Sequence, residues 1–566
     1  MKQIIILFVL LLVILEATAS EASPGQHTLH NTNGGKKYGG AIHLNENEEP
    51  RSFDPAQISE KGNIDIAENI YDRLLEYDEN LNVRPSLAKS MPEISPDGLI
   101  YTFHLRTDVY FHDDPCFPGS IGRKFTARDV LYCWTRSCDP RTRTLAMPYF
   151  EIIQGAQEYY ADPILHSEGV KGIQTPDDST FVVTLTTPFS PFIDYCATVG
   201  FICPREAIER YGDDFIHHAV GTGPFKLVDY EAGNYCLLLR NQHYWGKDPE
   251  DNQLPYLDSV RFTFVQDSRI EMLEFKAGRL DHKYRIPSGS FENVFDKSNR
   301  LKDEYRQYQI GRVAANSTQF YGFNCEMPGV SNVHLRRAIS LAIDRKKIVA
   351  DILGEQASGP GDYGLVPPSM LPNRAINGMN FNPAKARKEL GIAKKELNGK
   401  IPEIKLCVNQ GGGRNQQVAQ AVISMVKDCL GIDIQIEIRS WPDLTELIDA
   451  GKAPFFRLGW ISDYPNPQSF LALLYGNNIP SSGPSSMNLV RYRNSVFDRL
   501  YEEALRETNR SKALNLWAQC DRVAVEDAAM VILYYDEDFH LLQPWVMDFP
   551  INSQNDNAMK HVWFSQ

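Results

Sequence analysis

An α/β fold divided among several structural units is the architecture this sequence predicts, and three observations carry the prediction. The chain has 566 residues, too many for one compact core when domains run at about 150 residues each. Between residues 403 and 465, period-two and helical spacings of apolar residues alternate, the pattern of strands joined by crossover helices. Upstream, turn-rich stretches of strand character are interrupted by a few amphipathic helices. A composition of 43% hydrophobic and 23% charged residues belongs to a chain that folds in water.

Lys2 precedes an apolar run from 4 to 15 and the small residues Ala17, Thr18 and Ala19, the order of a secretory signal peptide, here 1–19. The run is about 12 residues, short of the roughly 20 that cross a bilayer as a helix. No cysteine precedes Cys116, so no lipid can be attached at the cleavage site, and a soluble periplasmic protein is expected. Residues 20–40, with HNTNGGKKYGG, are polar and glycine-rich and predict a flexible leader.

From Asp97, Tyr101, Phe103 and Leu105 share one face of a strand. Thr126 then caps a helix on which Val130, Cys133 and Trp134 recur at helical spacing. Phe181, Val183 and Leu185 alternate as a second strand, so 86–204 reads as one mixed unit. Residues 205–312, with GTGPFKLVDYEAGNYCLLLRNQHYWG and PYLDSVRFTFVQD, read as mostly sheet. LRRAISLAIDRKKIVADIL predicts one amphipathic helix with Leu335, Ala338, Ile339, Ala342 and Ile343 inward.

The βαβ unit follows. Ile404, Leu406 and Val408 mark a strand, Val418, Ala421, Val422, Met425 and Val426 line a helix stopped at Gly431, and Ile432 to Ile438 alternate as the next strand. A short helix from Pro442 and a strand through Phe456, Leu458 and Trp460 complete the series, which ends at Asp463. In open α/β sheets ligands sit beyond the carboxyl ends of strands, so Asp463 is a site candidate; a turn aspartate before ProAsnPro at 465–467 is the plainer alternative.

Charge and motifs exclude several functions. A net charge of -14 without a dense Lys/Arg stretch argues against nucleic acid. Ten cysteines lie without CxxC or Cys/His ligand spacing, so neither a metal nor a cofactor is predicted; Cys196 and Cys203 are one possible disulfide among several. GTGPF at 221–225 and GGG at 411–413 lack the Lys and Ser/Thr of a phosphate loop, and neither GxSxG nor HExxH occurs. Catalysis is not expected.

Taken in order, DGLIYTFHLRTDVYFHD, FTARDVLYCWTR, GTGPFKLVDY, NQHYWG, PYLDSVRF, FKAGRLD, LRRAISLAIDRKKIV and WISDYPNP resemble the oligopeptide- and dipeptide-binding receptors of ATP-binding-cassette importers, the family-5 extracellular solute-binding proteins. The resemblance runs from about residue 42 to 545. It implies a two-lobed periplasmic-binding-protein clamp with an additional third domain: lobe one from 41–85, 205–312 and 531–566, the extra domain 86–204, and lobe two 313–530. It also implies a small-peptide ligand held between the lobes, importer permease subunits as partners, and a monomer. Relatives of this architecture that bind nickel chelates, haem, sugars or opines keep a non-peptide solute open.

The resemblance places the carboxylate that receives the peptide ammonium on Asp463. It puts Arg457 and Trp460 beside the ligand as well, with Arg457 either receiving a ligand carboxylate or pairing with an internal acid. Ser59 and Glu60 in QISEKGN, and Tyr149 in MPYFEII, are further ligand-facing candidates. A cation closing the far end of the cleft would come from Lys283, Arg285 or Arg374.

Overall fold

The computed structural model describes residues 29–566 apart from 59–60, 163–168, 287–289, 297–298, 372–377, 411–412, 482, 486 and 557. The expected signal peptide, Ser59, Glu60 and Arg374 lie outside the described residues.

The first ordered feature corrects an expectation. His30–Asn31 pairs antiparallel with Lys37–Tyr38, so 29–40 is not a flexible leader. Gly34 and Gly35 turn the hairpin at φ of 76° and 88°, which glycine adopts without steric cost. Distant partners supply the rest of the order. Asn33 and Asn252 exchange two 3.0 Å hydrogen bonds, and Lys36 pairs with Asp548 at 2.9 Å.

Strand β1 (Ala41–Asn45) enters a four-stranded sheet. A second four-stranded sheet contains β2 (Ile100–His104), which is followed by helix α1 (Ala127–Ser137) and β3 (Thr180–Thr184). Tyr101 and Phe103 face inward and pair in register with Val183 and Phe181. The Thr126 N–H donates to Asp129 at the start of α1 at 2.8 Å, which satisfies a donor the helix itself cannot. The chain then returns to the first sheet as β4 (Phe225–Glu231), β5 (Tyr235–Arg240) and β6 (Ser259–Thr263), in the order β4-β5-β6-β1. One continuous core, from Ile42 and Tyr71 through Trp134 and Phe181 to Phe564, fills both sheets.

A larger sheet begins with β7 (His282–Tyr284) and the 15-residue β8 (Gln309–Phe323). Helix α2 (Val333–Leu341) follows, its N-terminus capped by the Asn332 side chain, which accepts from the Leu335 N–H at 2.9 Å; such caps contribute about 1 kcal/mol. The single helix expected through residue 353 is interrupted after Leu341. Asp344 starts a new turn at Arg345–Lys347 by accepting from the Lys347 N–H, a local competition that aspartate wins readily.

Next come β9 (Ile404–Asn409), α3 (Arg414–Leu430), β10 (Ile434–Arg439), α4 (Trp441–Asp449) and β11 (Phe455–Ile461). Gly431 ends α3 at φ 68°, in the left-handed region. Strands β9–β10 and β9–β11 run parallel. Two more helices, α5 (Ser495–Arg506) and α6 (Arg510–Glu526), precede β12 (Met530–Leu542). The sheet order is β7-β12-β8-β11-β9-β10, with Gly359–Pro360 also pairing β12. Leu335, Val422 and Ile404 belong to the core on one face, while Leu444, Phe456 and Trp517 belong to the core on the other. A sheet covered on both faces explains why these strands are apolar throughout.

The two long strands connect the halves of the molecule. The early part of β8 and the late part of β12 border a small core of Phe275, Phe291 and Phe539, and their other ends lie between the two large cores. Their pairing breaks between Ala314 and Thr318, opposite Glu537 and Tyr535. The boundaries expected at 312/313 and 530/531 therefore fall within or at the start of continuous strands.

Candidate ligand-binding site

A cavity of about 440 Å³ opens where the halves meet at this break in the ladder. The first half contributes Ile58 and Ile64, and the segment between β2 and β4 contributes Tyr149 and Phe201. Arg285 and Asp538, Asn316 and Ser317 form the hinge side; Ser462, Asp463 and Gln554 face them from the second half and the C-terminal segment.

Asp463 stands two residues beyond β11. Its N–H donates to the Ser469 hydroxyl at 3.2 Å, while among the described residues its carboxylate receives no hydrogen bond and joins no ion pair. Its side chain is exposed and lines the cavity, yet enough protein surrounds it that lost solvation pushes its pKa up to about 6. Three tyrosines border it. Tyr149 and Tyr195 meet edge to face at 5.0 Å, as do Tyr195 and Tyr464. Burial and then the Asp463 charge hold the Tyr149 hydroxyl above the usual tyrosine range.

Arg285 also lines the cavity and is paired with Asp538 at 2.8 Å. Its guanidinium lies over the Tyr284 ring at 5.0 Å, and its backbone sits at φ 50°. Asp538 is nearly inaccessible while the Arg285 side chain is half exposed, so the arginine retains donors toward the cavity. Lys283, the other described candidate for this role, is corrected: it is buried against Glu271 at 2.7 Å.

The remaining predicted residues are dispersed. Arg457 does not line this cavity; it donates to Gln319 at 2.6 Å, and Gln319 donates to Asp536 at 2.7 Å. Asp536 also accepts from Ser317 at 2.6 Å, so Arg457 reaches the cavity floor through a polar relay. Trp460 points toward the core on the opposite face of β11, and its indole N–H donates to Ser469 at 3.3 Å. The backbone of β11 is the accessible part: β8 pairs with all seven of its residues, whereas β9 reaches only Phe455 and Phe456. From Arg457 onward its other edge carries no described strand.

Residues not predicted include Asn316, Ser462 and Gln554. The Asn316 amide donates to Gln554 at 3.0 Å, Ser462 donates to Gln554 at 2.9 Å, and the Ser462 N–H donates to the Asn316 carbonyl at 3.0 Å. They fasten the hinge, the end of β11 and the C-terminal segment together. Among the described residues no group of three or more His, Cys, Asp or Glu is arranged to hold a metal ion.

The comparison that decides the family is a match of residues 82–482 to the model for bacterial extracellular solute-binding proteins, family 5. The chain belongs to that family. Its fold is accordingly the two-lobed clamp. The dipeptide-binding protein DppE of Bacillus subtilis is 25% identical over 539 residues, covering 93% of this chain and 92% of that protein. Heme-binding protein A of Haemophilus influenzae is 27% identical, covering 88% of each chain. The periplasmic oligopeptide-binding protein OppA of Salmonella typhimurium is 25% identical over 91% of this chain and 90% of that protein.

Among solved structures, the unliganded open form of the murein tripeptide-binding protein MppA superposes with a TM-score of 0.78 at 21% identity, covering 96% of this chain and 99% of that one. DppA of Helicobacter pylori in complex with the peptide STSA superposes at 0.72 and 23%, covering 94% and 99%. The family and these relatives are binding proteins rather than enzymes. No described helix is long and apolar enough to cross a membrane.

Proposed function

We propose that the chain is an exported periplasmic receptor that captures small peptides between its lobes and delivers them to the permease subunits of an ATP-binding-cassette importer. The observation that carries this reading is the Asp463 carboxylate, which lines the cavity without a partner among the described residues and stands beyond a strand one edge of which carries no described strand after Phe456. A desolvated carboxylate gains most from a fixed cation, and the ammonium is common to every peptide with a free amino terminus. The open edge of β11 offers backbone pairing, which supplies affinity without demanding a sequence. Arg285, which lines the same cavity, offers the complementary charge. Tyr149 borders the ligand, Arg457 positions the floor through Gln319, and Trp460 acts through packing. Ser59 and Glu60, next to Ile58 in the sequence, are further proposed ligand contacts.

In this reading lobe one is 41–85, 205–312 and 531–566, the extra domain is 86–204, lobe two is 313–530, and the working form is a monomer after removal of 1–19. A ligand that touches both lobes only when they close shifts the hinge equilibrium by its preference for the closed form. Shifting from 1% to 99% closed takes about 5.5 kcal/mol, within reach of one ion pair and several backbone hydrogen bonds at about 1 kcal/mol each.

The test is calorimetric titration of a mixed tripeptide into the chain from Glu21 after mild unfolding has removed carried-over ligand. Saturable heat supports the reading. Absence of heat from all di- to pentapeptides overturns it in favour of a non-peptide solute, to be identified by mass spectrometry of the co-purified ligand; a heme-binding relative of equal similarity makes haem the first candidate.

A further inference from the structure

We propose that Cys133 and Cys203 join in a disulfide when the chain folds in an oxidising medium. Their sulfur atoms stand 3.7 Å apart, in contact, and a bond of about 2.05 Å requires only a small approach. Both side chains are buried, at 3% and 0% exposure. Among the described residues this is the one cysteine pair whose sulfurs hydrogen-bond to each other. Of the pairings the sequence leaves open, Cys196 with Cys203 is not favoured: Cys196 lies within the helix Phe192–Thr198 and shares no hydrogen bond or disulfide with Cys203.

The link matters because of what it fastens. Cys133 is on α1, and Cys203 ends the segment that gives Thr198, Val199, Gly200 and Phe201 to the cavity wall. That segment already lies tight against the helix. A Cβ at Gly200 would stand 2.8 Å from the Trp134 indole nitrogen, one residue from Cys133. In the reduced chain the Cys133 thiol donates to the Cys203 carbonyl at 3.2 Å and accepts from the Cys203 N–H at 3.3 Å. The two segments are therefore held in register by backbone contacts that precede any bond between the sulfurs.

The chemistry is two successive exchanges with a small-molecule or protein disulfide, glutathione disulfide in the test below. One cysteine thiolate attacks the glutathione disulfide, releases one glutathione thiolate and forms a mixed disulfide. The second thiolate attacks the protein sulfur of that mixed disulfide and releases the other glutathione. Two electrons pass from the cysteines to glutathione disulfide, and the two thiol protons end on two glutathione thiols. Because the native sulfurs are inaccessible, exchange takes place during folding, and the finished bond is shielded from reductant.

The experiment is refolding of the reduced chain in a mixed glutathione buffer, followed by alkylation in denaturant without reductant and peptide mapping by mass spectrometry. Ten cysteines less the bonded two leave eight alkylated, with one cross-linked pair of peptides containing Cys133 and Cys203. The cross-link should persist in Cys196→Ala, and dithiothreitol should break it only when denaturant is present. Ten alkylated cysteines, or a cross-link from Cys203 to Cys196, overturn the inference. Mapping the same chain recovered from an export compartment separates this geometry from the proposed localisation: a bond present after refolding upholds the pairing whatever the cellular sample shows.

Discussion

Asp281, bonded to the backbone of β1, and Asp463, beside the cavity, both have their pKa pushed up to about 6, in each case chiefly by lost solvation. Their surroundings differ. Asp281 accepts from the His43 N–H at 2.7 Å and from the Trp545 indole at 2.8 Å, tying β1 to the C-terminal segment. Asp463 has no such donors among the described residues and looks into open space. Equal acidity thus accompanies opposite roles, and the donor list separates a structural acid from one that awaits a cation.

The strongest way to break this contrast is to remove each acid in turn. Asp281→Ala leaves two half-buried N–H groups without this acceptor, and a loss of about 2 kcal/mol in unfolding free energy is expected from the denaturation midpoint. Tripeptide affinity of the folded fraction should stay within about twofold of the parent. Asp463→Ala should reverse the pattern. Affinity falls by about 2 kcal/mol, roughly 30-fold in Kd by calorimetry, while the ligand-free melting temperature does not fall. Equal loss of stability in both variants would erase the distinction.

The pH dependence of binding comes next. An ammonium prefers the ionised carboxylate, so complex formation lowers the pKa of Asp463 and releases a proton when the free site is protonated. Affinity is then full above about pH 7 and about tenfold weaker at pH 5, since the free group titrates near 6. In Asp463→Asn this slope should vanish.

The smallest effect concerns the empty protein. A carboxyl whose folded value lies above its unfolded value of 3.8 holds its proton more tightly when folded. Its contribution to stability is complete below pH 3.8 and is lost as pH rises through about 6. Asp463→Asn should therefore melt slightly higher than the parent at pH 8 and at the same temperature at pH 4, by scanning calorimetry.

The parts legible in the sequence were those whose spacing is local. The series from Ile404 to Ile461 appears at the expected positions because a sheet buried on both faces leaves its periodicity in the apolar residues, and the position of Asp463 after that series followed from chain order. The hinge was not legible in this way. Asn316 and Ser317 interrupt β8 with polar residues that carry no period, and their partners Gln554 and Asp536 lie more than 200 residues away. The hairpin at 30–38 was hidden for the same reason, since its anchors, Asn252 and Asp548, are distant. For Arg457 the sequence leaves open a ligand carboxylate or an internal acid; its bond to Gln319 arises from strand register, which composition does not encode.

The break in the β8–β12 ladder also bears on how such a protein can change its preferences. Asn316 and Ser317 belong both to the strand at the ladder break and to the cavity lining, so under the proposed clamp motion a substitution there alters the ease of closing along with the fit, and a measured affinity reports the product of the two. Tyr149 and Phe201 sit on a wall outside the flexing strands and can be exchanged with far less effect on closure. Selection or design that retunes the ligand has its freest ground on that wall, and a floor left untouched preserves the motion while the diet changes.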